Sequence, residues 1–180
     1  MKPISNATLK KFIALAVEQL SGEWVILGGM VIPLIGSPNR PTLDIDIAPK
    51  GEPSNKDRLA VMNIAEKVGL PVEAVNLAAE HFLKKIKDWE KHLVLVKKSK
   101  KASIFRPDAT LFLLLKVSRL SESDLQDCLE MLKAAKRSAE TIDESVLLQI
   151  NKLKKLVQPA DKSARLDTLL TAIHRHSQKV

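Results

Sequence analysis

Two acidic residues separated by one apolar residue are the pattern in this sequence with the clearest chemical potential. Asp44 and Asp46 lie in the alternating run Leu43 to Ile47, which predicts a β-strand. Successive side chains of a strand point to opposite faces, so both carboxylates would share one face and repel each other unless a cation lies between them. Mg²⁺ suits that position, because one or two carboxylates, waters and phosphate oxygens bind it. Alternatively, one face of the strand is wet and the aspartates are only hydrated.

A short apolar run and a pair of glycines precede the acids. Trp24 to Leu27 is continuous and apolar, which is typical of a strand that is buried on both faces. Gly28 and Gly29 end this run, and glycine permits positive φ and a close approach of a ligand to the backbone. Met30 to Ile35 then predicts a short helix whose first amide groups are available to an anion.

This order of features, with Arg40 and Thr42 ahead of the acids, resembles the nucleotidyltransferase superfamily, which has the fold of DNA polymerase beta. The layout is similar to small prokaryotic members associated with toxin–antitoxin and abortive-infection systems. The resemblance implies that Gly28, Gly29, Arg40 and Thr42 bind a nucleoside triphosphate. It also implies that Asp44 and Asp46 are catalytic and bind Mg²⁺ or Mn²⁺, which would bracket the attacking and leaving oxygens of an in-line displacement.

The segment Thr110 to Leu132 also resembles the later helices of the family, where a lysine, an arginine and a pair of aspartates recur. Here these residues are Lys116, Arg119, Asp124 and Asp127. One interpretation gives Lys116 a contact with the nucleotide's phosphates. The other is that Lys116 only extends its ammonium from a buried helix to solvent. For Asp124 and Asp127 we favour a structural role near a helix N-terminus, where negative charge is favourable.

The acid pair departs from the superfamily in one respect, because a third carboxylate normally lies on a later strand. Neither Leu93 to Val96 nor Ala102 to Phe105 contains one, and the remaining acids that could substitute are Glu73, Glu80 and Asp108. A hydroxyl that attacks without a third acid has less help in losing its proton. The site could therefore bind Mg–nucleotide without turning it over.

Three hypotheses follow. The first is an enzyme that transfers a nucleotidyl group to a hydroxyl of RNA, a protein or a small molecule. The second is an inactive module of the same fold that binds nucleic acid or a partner protein through a lysine-rich face. The third is a scaffold protein in which the acid pair is only polar surface.

The positive charge of the chain is concentrated in one segment. The formal net charge is +8, and Lys84 to Arg106 contains nine basic residues but only two acids. This concentration favours an anionic partner, either nucleic acid or nucleotide phosphates, although a solvated basic hairpin is the alternative. Aromatic residues make up 3% of the chain and tyrosine is absent, which argues against a surface that stacks bases.

The hydrophobic pattern predicts an α+β fold with a small mixed sheet of about four to five strands flanked by helices. We expect a nucleotidyltransferase-like core over residues 1–120 and a helical segment, 121–180, packed on it. The predicted strands are 24–27, 43–47, 93–96 and 102–106. The predicted helices are 5–20, 54–68, one that starts at Asp108, 124–137, 143–157 and 160–176, and residues 72–86 are predicted to be helical or partly so.

Three further features predict a cytoplasmic protein without membrane contact. No apolar run approaches the roughly 18 residues that a membrane span needs. The first twelve residues lack the apolar region of a signal peptide. Cys128 is the single cysteine, so the chain has no disulfide framework, and its surroundings predict a small buried helix residue.

Overall fold

The chain divides into two compact units, with the boundary between Pro107 and Asp108. The computed structural model describes residues 3–37, 42–156 and 159–177. The first unit holds the sheet and the second is helical, which confirms the predicted α+β class with a C-terminal helical part. The boundary lies before the helix that contains Lys116, whereas we expected the core to extend to residue 120.

The first unit is built on a five-stranded mixed sheet. Its strands are β1 Gly22–Leu27, β2 Ile45–Pro49, β3 Val75–Asn76, β4 Leu93–Lys98 and β5 Ala102–Pro107. The order across the sheet is β3-β2-β1-β5-β4. β1 runs antiparallel to β2 and parallel to β5, β3 is parallel to β2, and β4 and β5 form an antiparallel hairpin. The central strand β1 therefore carries the buried run Trp24 to Leu27, as its sequence predicted.

Four α-helices accompany this sheet, namely α1 Asn6–Gln19, α2 Val31–Leu34, α3 Asn55–Lys67 and α4 Glu80–Leu83. Ser5 caps α1, and a reciprocal capping box between Ser54 and Asp57 starts α3. The buried face of α1 and that of α3 join β1 and β2 in one hydrophobic core, which includes Phe12 and Ile64. The end of β1 and the start of β2 lie side by side over this core.

The second unit consists of α5 Ala109–Val117, α6 Glu122–Ser138, α7 Glu144–Lys154 and α8 Ala160–Ser177. Ser121 caps α6 and forms a capping box with Asp124. Apolar residues of all four helices form a second core, among them Leu113, Cys128, Val146 and Ile173. In the part of the chain that the structure describes, no helix has the length and hydropathy to cross a membrane.

Two predicted elements differ from those observed. Residues 72–86, predicted to be helical or partly so, are only partly helical, because this segment contains a 3₁₀ turn at Val72–Ala74, then β3, and one short helix, α4. Asn76 explains the break, since its side-chain oxygen accepts the amide hydrogen of Ala78 at 2.9 Å and closes a turn. The strand predicted at 43–47 is observed two residues later, at Ile45–Pro49. Leu43 therefore lies before the strand and is 47% exposed instead of facing the core.

Candidate functional site

Asp46 lies where three neighbouring strands meet. In the register of the sheet it is opposite Leu27, the last residue of β1, and opposite Asn76, the last residue of β3. Ile45 and Ile47 on either side of it are fully buried, whereas Asp46 is half-buried. The alternation of the strand therefore directs the Asp46 carboxylate away from the core, whereas Asp44 lies before β2, outside the strand that was predicted to hold both acids.

Gly28 packs against the Asp46 carboxylate. A Cβ atom on Gly28 would lie 2.0 Å from Oδ2 of Asp46, which is far inside van der Waals contact. The backbone of Gly28 also has φ +61°, a conformation that favours glycine. Only glycine fits this position, for two independent reasons, and the first glycine of the pair thus allows a carboxylate to touch the turn.

Gly29 continues this turn into a helix. Gly28–Met30 forms one 3₁₀ turn, and α2 follows directly at Val31. The predicted helix at residues 30–35 is confirmed in type but has only four α-helical residues. Amide groups in the first turn of a helical segment have no acceptor within that segment. The glycine turn that leads into α2 therefore begins at the residue that packs against the Asp46 carboxylate.

Thr42 positions Asp44. The Thr42 side chain is buried, and its hydroxyl lies 3.3 Å from Oδ1 of Asp44 and 3.4 Å from the Asp44 carbonyl oxygen. The carbonyl oxygen of Thr42 accepts the amide hydrogen of Ile4 at 2.8 Å, which ties this segment to the start of the chain. Asp44 itself is exposed just before β2. Arg40, the other predicted nucleotide ligand ahead of the acids, lies outside the described residues.

The structure thus brings Gly28, Asp46 and Asn76 into one cluster and places Asp44 beside it in the chain. A family model described as "Nucleotidyltransferase of unknown function (DUF6036)" matches residues 7–176. The chain belongs to this nucleotidyltransferase family. No curated protein and no solved structure matches it. Membership confirms the resemblance drawn from the strand, the glycine turn and the acid pair.

No third acid joins the pair in the segments that the structure describes. Those segments contain no group of three His, Cys, Asp or Glu residues that could hold a metal ion. Of the three candidate substitutes, Glu80 forms an ion pair with Lys84, and Asp108 caps α5 by accepting the amide hydrogen of Leu111. Glu73 is exposed in the turn before β3. The described residues therefore supply no third acid that could complete a metal site with Asp44 and Asp46.

Asn76 is the residue of the cluster that the sequence analysis did not assign to the site. Its side-chain amide donates to Oδ1 of Asp46 at 2.8 Å. A weak signal was present in the sequence, because Ala74-Val75-Asn76 lies shortly after Pro71 and could pair as a short strand. The interpretation of residues 72–86 as a helix concealed it. Asn76 holds one oxygen of the carboxylate while the glycine turn adjoins the other.

Lys116 lies in the second unit, within an ion cluster. The Lys116 side chain is 8% exposed. Its ammonium nitrogen lies 2.8 Å from both Oδ1 of Asp124 and Oδ2 of Asp127. It also lies 5.4 Å from the centre of the Phe112 ring. Lys116 therefore does not extend to solvent, because its ammonium donates a hydrogen bond to Asp124 and forms an ion pair with Asp127. A contact of Lys116 with phosphate stays a prediction.

Asp124 is the centre of this ion cluster. Arg119 donates to both of its oxygens at 2.6 and 2.7 Å, and the Ser121 hydroxyl donates to Oδ2. Burial raises the pKa of Asp124, but the hydrogen bonds from Arg119 and Lys116 lower it more, so that the pKa lies well below its usual range. Asp124 is thus an ionised, buried partner of Lys116 and lies in the first turn of α6, where a structural role was predicted.

Proposed function

We propose that the first unit binds a nucleoside triphosphate together with Mg²⁺ or Mn²⁺ and transfers a nucleotidyl group to a hydroxyl. Membership of a nucleotidyltransferase family supports the reaction class. The observation that carries the proposal is the contact between Gly28 and Asp46, because the carboxylate lies directly against a glycine turn with no side chain between them. Such an arrangement suits a ligand that combines a metal ion with phosphates.

The donor set fits a divalent cation that arrives with its nucleotide. Asp44 and Asp46 would hold the cation, and hard oxygen ligands of this kind are those that Mg²⁺ and Mn²⁺ prefer. Bound there, the cation would supply charge neutralisation at the phosphate oxygens and activation of the attacking hydroxyl. The chain itself orients both acids, since Thr42 contacts Asp44 and Gly28 adjoins Asp46.

The acceptor hydroxyl belongs to RNA, a protein or a small molecule, and label transfer distinguishes these classes. We would incubate the full chain with α-labelled ATP, CTP, GTP and UTP, Mg²⁺ or Mn²⁺, and total RNA, and separate labelled RNA from labelled protein. We expect incorporation by the wild type and its loss in the variant Asp44→Ala/Asp46→Ala.

A matched control is the variant Glu18→Ala/Glu66→Ala, because both glutamates are exposed on helices of the same unit. It removes the same charge and should transfer label as the wild type does. If the wild type, the aspartate variant and the glutamate control all give the same background level of incorporated label with every nucleotide and acceptor, the enzymatic proposal is contradicted.

The arrangement of positive charge favours a second candidate, a module that binds nucleic acid. Lys97, Lys98, Lys100 and Lys101 are exposed around the β4–β5 turn. Register places Ala102 opposite Gly22, at the start of β1, whereas Asp46 lies opposite the end of β1. Because β1 spans six residues, these two positions are about 17 Å apart. The basic turn is therefore distant from the acid pair and suits an anionic partner other than the triphosphate.

Fluorescence polarisation with labelled RNA tests this candidate. Replacement of all four lysines of the turn by glutamine should weaken binding by about tenfold or more at low salt and flatten its salt dependence. The control replaces Lys10, Lys11, Lys56 and Lys67, which are exposed on α1 and α3, and changes the net charge equally. If both variants weaken binding to the same extent, the turn has no specific role.

A further inference from the structure

The contact between Asn76 and Asp46 defines the charge of the candidate metal site. The two residues face each other across the parallel strands β2 and β3, and Nδ2 of Asn76 lies 2.8 Å from Oδ1 of Asp46. An aspartate in place of Asn76 would have almost the same shape but would add a negative charge directly beside the Asp46 carboxylate. The identity of residue 76 therefore decides whether a further negative charge lies beside the Asp46 carboxylate.

The orientation of the Asn76 amide follows from its second hydrogen bond. The Ala78 backbone N–H can only donate, and it lies 2.9 Å from Oδ1 of Asn76. The NH₂ group must then face Asp46, which as a carboxylate can accept. Asn76 consequently gives the site a hydrogen-bond donor and no lone pair for a cation.

We infer that Asn76 is a positioning residue that fixes the Asp46 carboxylate and keeps the affinity of the site for free divalent cations low. The cation then binds tightly only as its nucleotide complex, because the phosphate oxygens complete a ligand set that two carboxylates leave incomplete. This inference rests on the proposed function. It implies that metal and nucleotide bind together rather than in sequence.

Binding of free Mn²⁺, measured by electron paramagnetic resonance without nucleotide, tests the role of charge. We expect weak binding by the wild type and binding that is tighter by about tenfold or more in Asn76→Asp, because a third carboxylate attracts the cation. The same protein should melt at a lower temperature than the wild type in EDTA and recover in Mg²⁺ or Mn²⁺. The control Asn63→Asp, an exposed position on α3, should change neither property.

Asn76→Ala tests the positioning role without added charge. Loss of the hydrogen bond should weaken binding of Mn–ATP by about tenfold, since Asp46 is no longer held, and should leave binding of free Mn²⁺ as weak as in the wild type. Unchanged binding of Mn–ATP would overturn the positioning role.

Two results would overturn the proposed effect of charge at residue 76 on cation affinity. In the first, Asn76→Asp binds free Mn²⁺ no better than the wild type. In the second, it fails to fold even with a divalent cation present. The Mn²⁺ and melting measurements need no turnover. If label transfer is absent but Asn76→Asp gains Mn²⁺, the reaction is wrong and the inference on Asn76 stands.

Discussion

At the scale of single residues, the site depends on close contacts that tolerate little change. Gly28 touches Asp46 without room for a Cβ atom, Thr42 contacts Asp44, and Asn76 fixes one oxygen of Asp46. The sequence pointed to the glycines and to the acids, because their types are distinctive. It did not indicate which glycine needs positive φ or that Asn76 belongs to the cluster, since both depend on strand register.

Gly28→Ala should disrupt the site more than an equivalent change elsewhere. Its Cβ would meet Oδ2 of Asp46 at 2.0 Å, so the carboxylate or the turn must move. The matched control is Gly22→Ala, where φ is +81° but no atom lies within 4 Å of the added Cβ. We expect backbone strain alone to lower the free energy of unfolding of the control by about 1–2 kcal/mol. The free energy of unfolding of Gly28→Ala should fall by more.

Urea unfolding measures this difference, and titration with Mn–ATP measures its effect on binding. Gly28→Ala should bind Mn–ATP more weakly than Gly22→Ala, which should match the wild type. Equal unfolding free energies for the two variants would contradict the observed contact between Gly28 and Asp46.

At the scale of elements, the sequence predicted most helices and the long strands but missed the shortest strand. The starts of α3 and α6 carry a local sequence signal, because Ser54 and Ser121 form capping boxes there. β3 has two residues, and its pairing with β2 comes from a segment about 30 residues distant, which local periodicity does not reveal. The ion cluster of Lys116 was likewise hidden, since a tight turn at Leu120 brings α6 back beside α5.

Lys116→Met should destabilise the second unit. Its removal leaves Asp124 and Asp127 buried with less compensating charge, which costs about 3–5 kcal/mol for a buried pair. The control is Lys133→Met, because Lys133 pairs with Glu130 on the exposed face of α6 and should contribute less than about 1 kcal/mol.

Chemical denaturation monitored by circular dichroism gives these values. The same variant separates the two interpretations of Lys116. If folded Lys116→Met binds Mn–ATP as the wild type does, the role of Lys116 is structural; weaker binding without loss of stability would support a phosphate contact.

The pH dependence of stability should report on Asp124. Its pKa in the folded state lies below the unfolded value of about 3.9, so its ionised form stabilises the fold above about pH 4. This stabilisation is lost as the pH falls through the folded pKa. We expect wild-type stability to fall in acid below about pH 4.

Asp124→Asn is the variant that isolates this contribution. It should be less stable than the wild type at pH 7 and should show a flatter decline below pH 4, as measured by thermal melting between pH 7 and 2. A parallel decline in both proteins would show that Asp124 does not contribute to acid unfolding.

At the scale of the whole molecule, each unit has a hydrophobic core of its own. The second core contains only residues between Leu113 and Ile173, drawn from α5 to α8. Periodicity predicted these helices individually, but it did not show where one core ends and the next begins. That boundary depends on which faces pack together, which is a property of the folded chain.

Residues 108–180 should fold without the first unit, and Cys128 provides the measurement. The Cys128 side chain is fully buried, and burial raises the pKa of its thiol to about 12, so it should resist a thiol reagent while the core is intact. We expect a helical spectrum, a cooperative melt and slow thiol modification for this fragment.

Val146→Asp in the same fragment is the control, because it places a charge in the second core and should expose the thiol. Immediate modification of the unaltered fragment would show that its core requires the first unit.

The lysines of the β4–β5 hairpin have a consequence for self-association. β4 is the last strand of the sheet order, and Leu95 in its middle is 52% exposed. A long edge strand with an exposed apolar residue can recruit the same strand of another molecule, and lysines on such an edge oppose this by mutual repulsion. Variants that neutralise Lys97 and Lys98 should therefore be checked by light scattering, since dimers or aggregates joined through β4 would imitate a loss of RNA affinity.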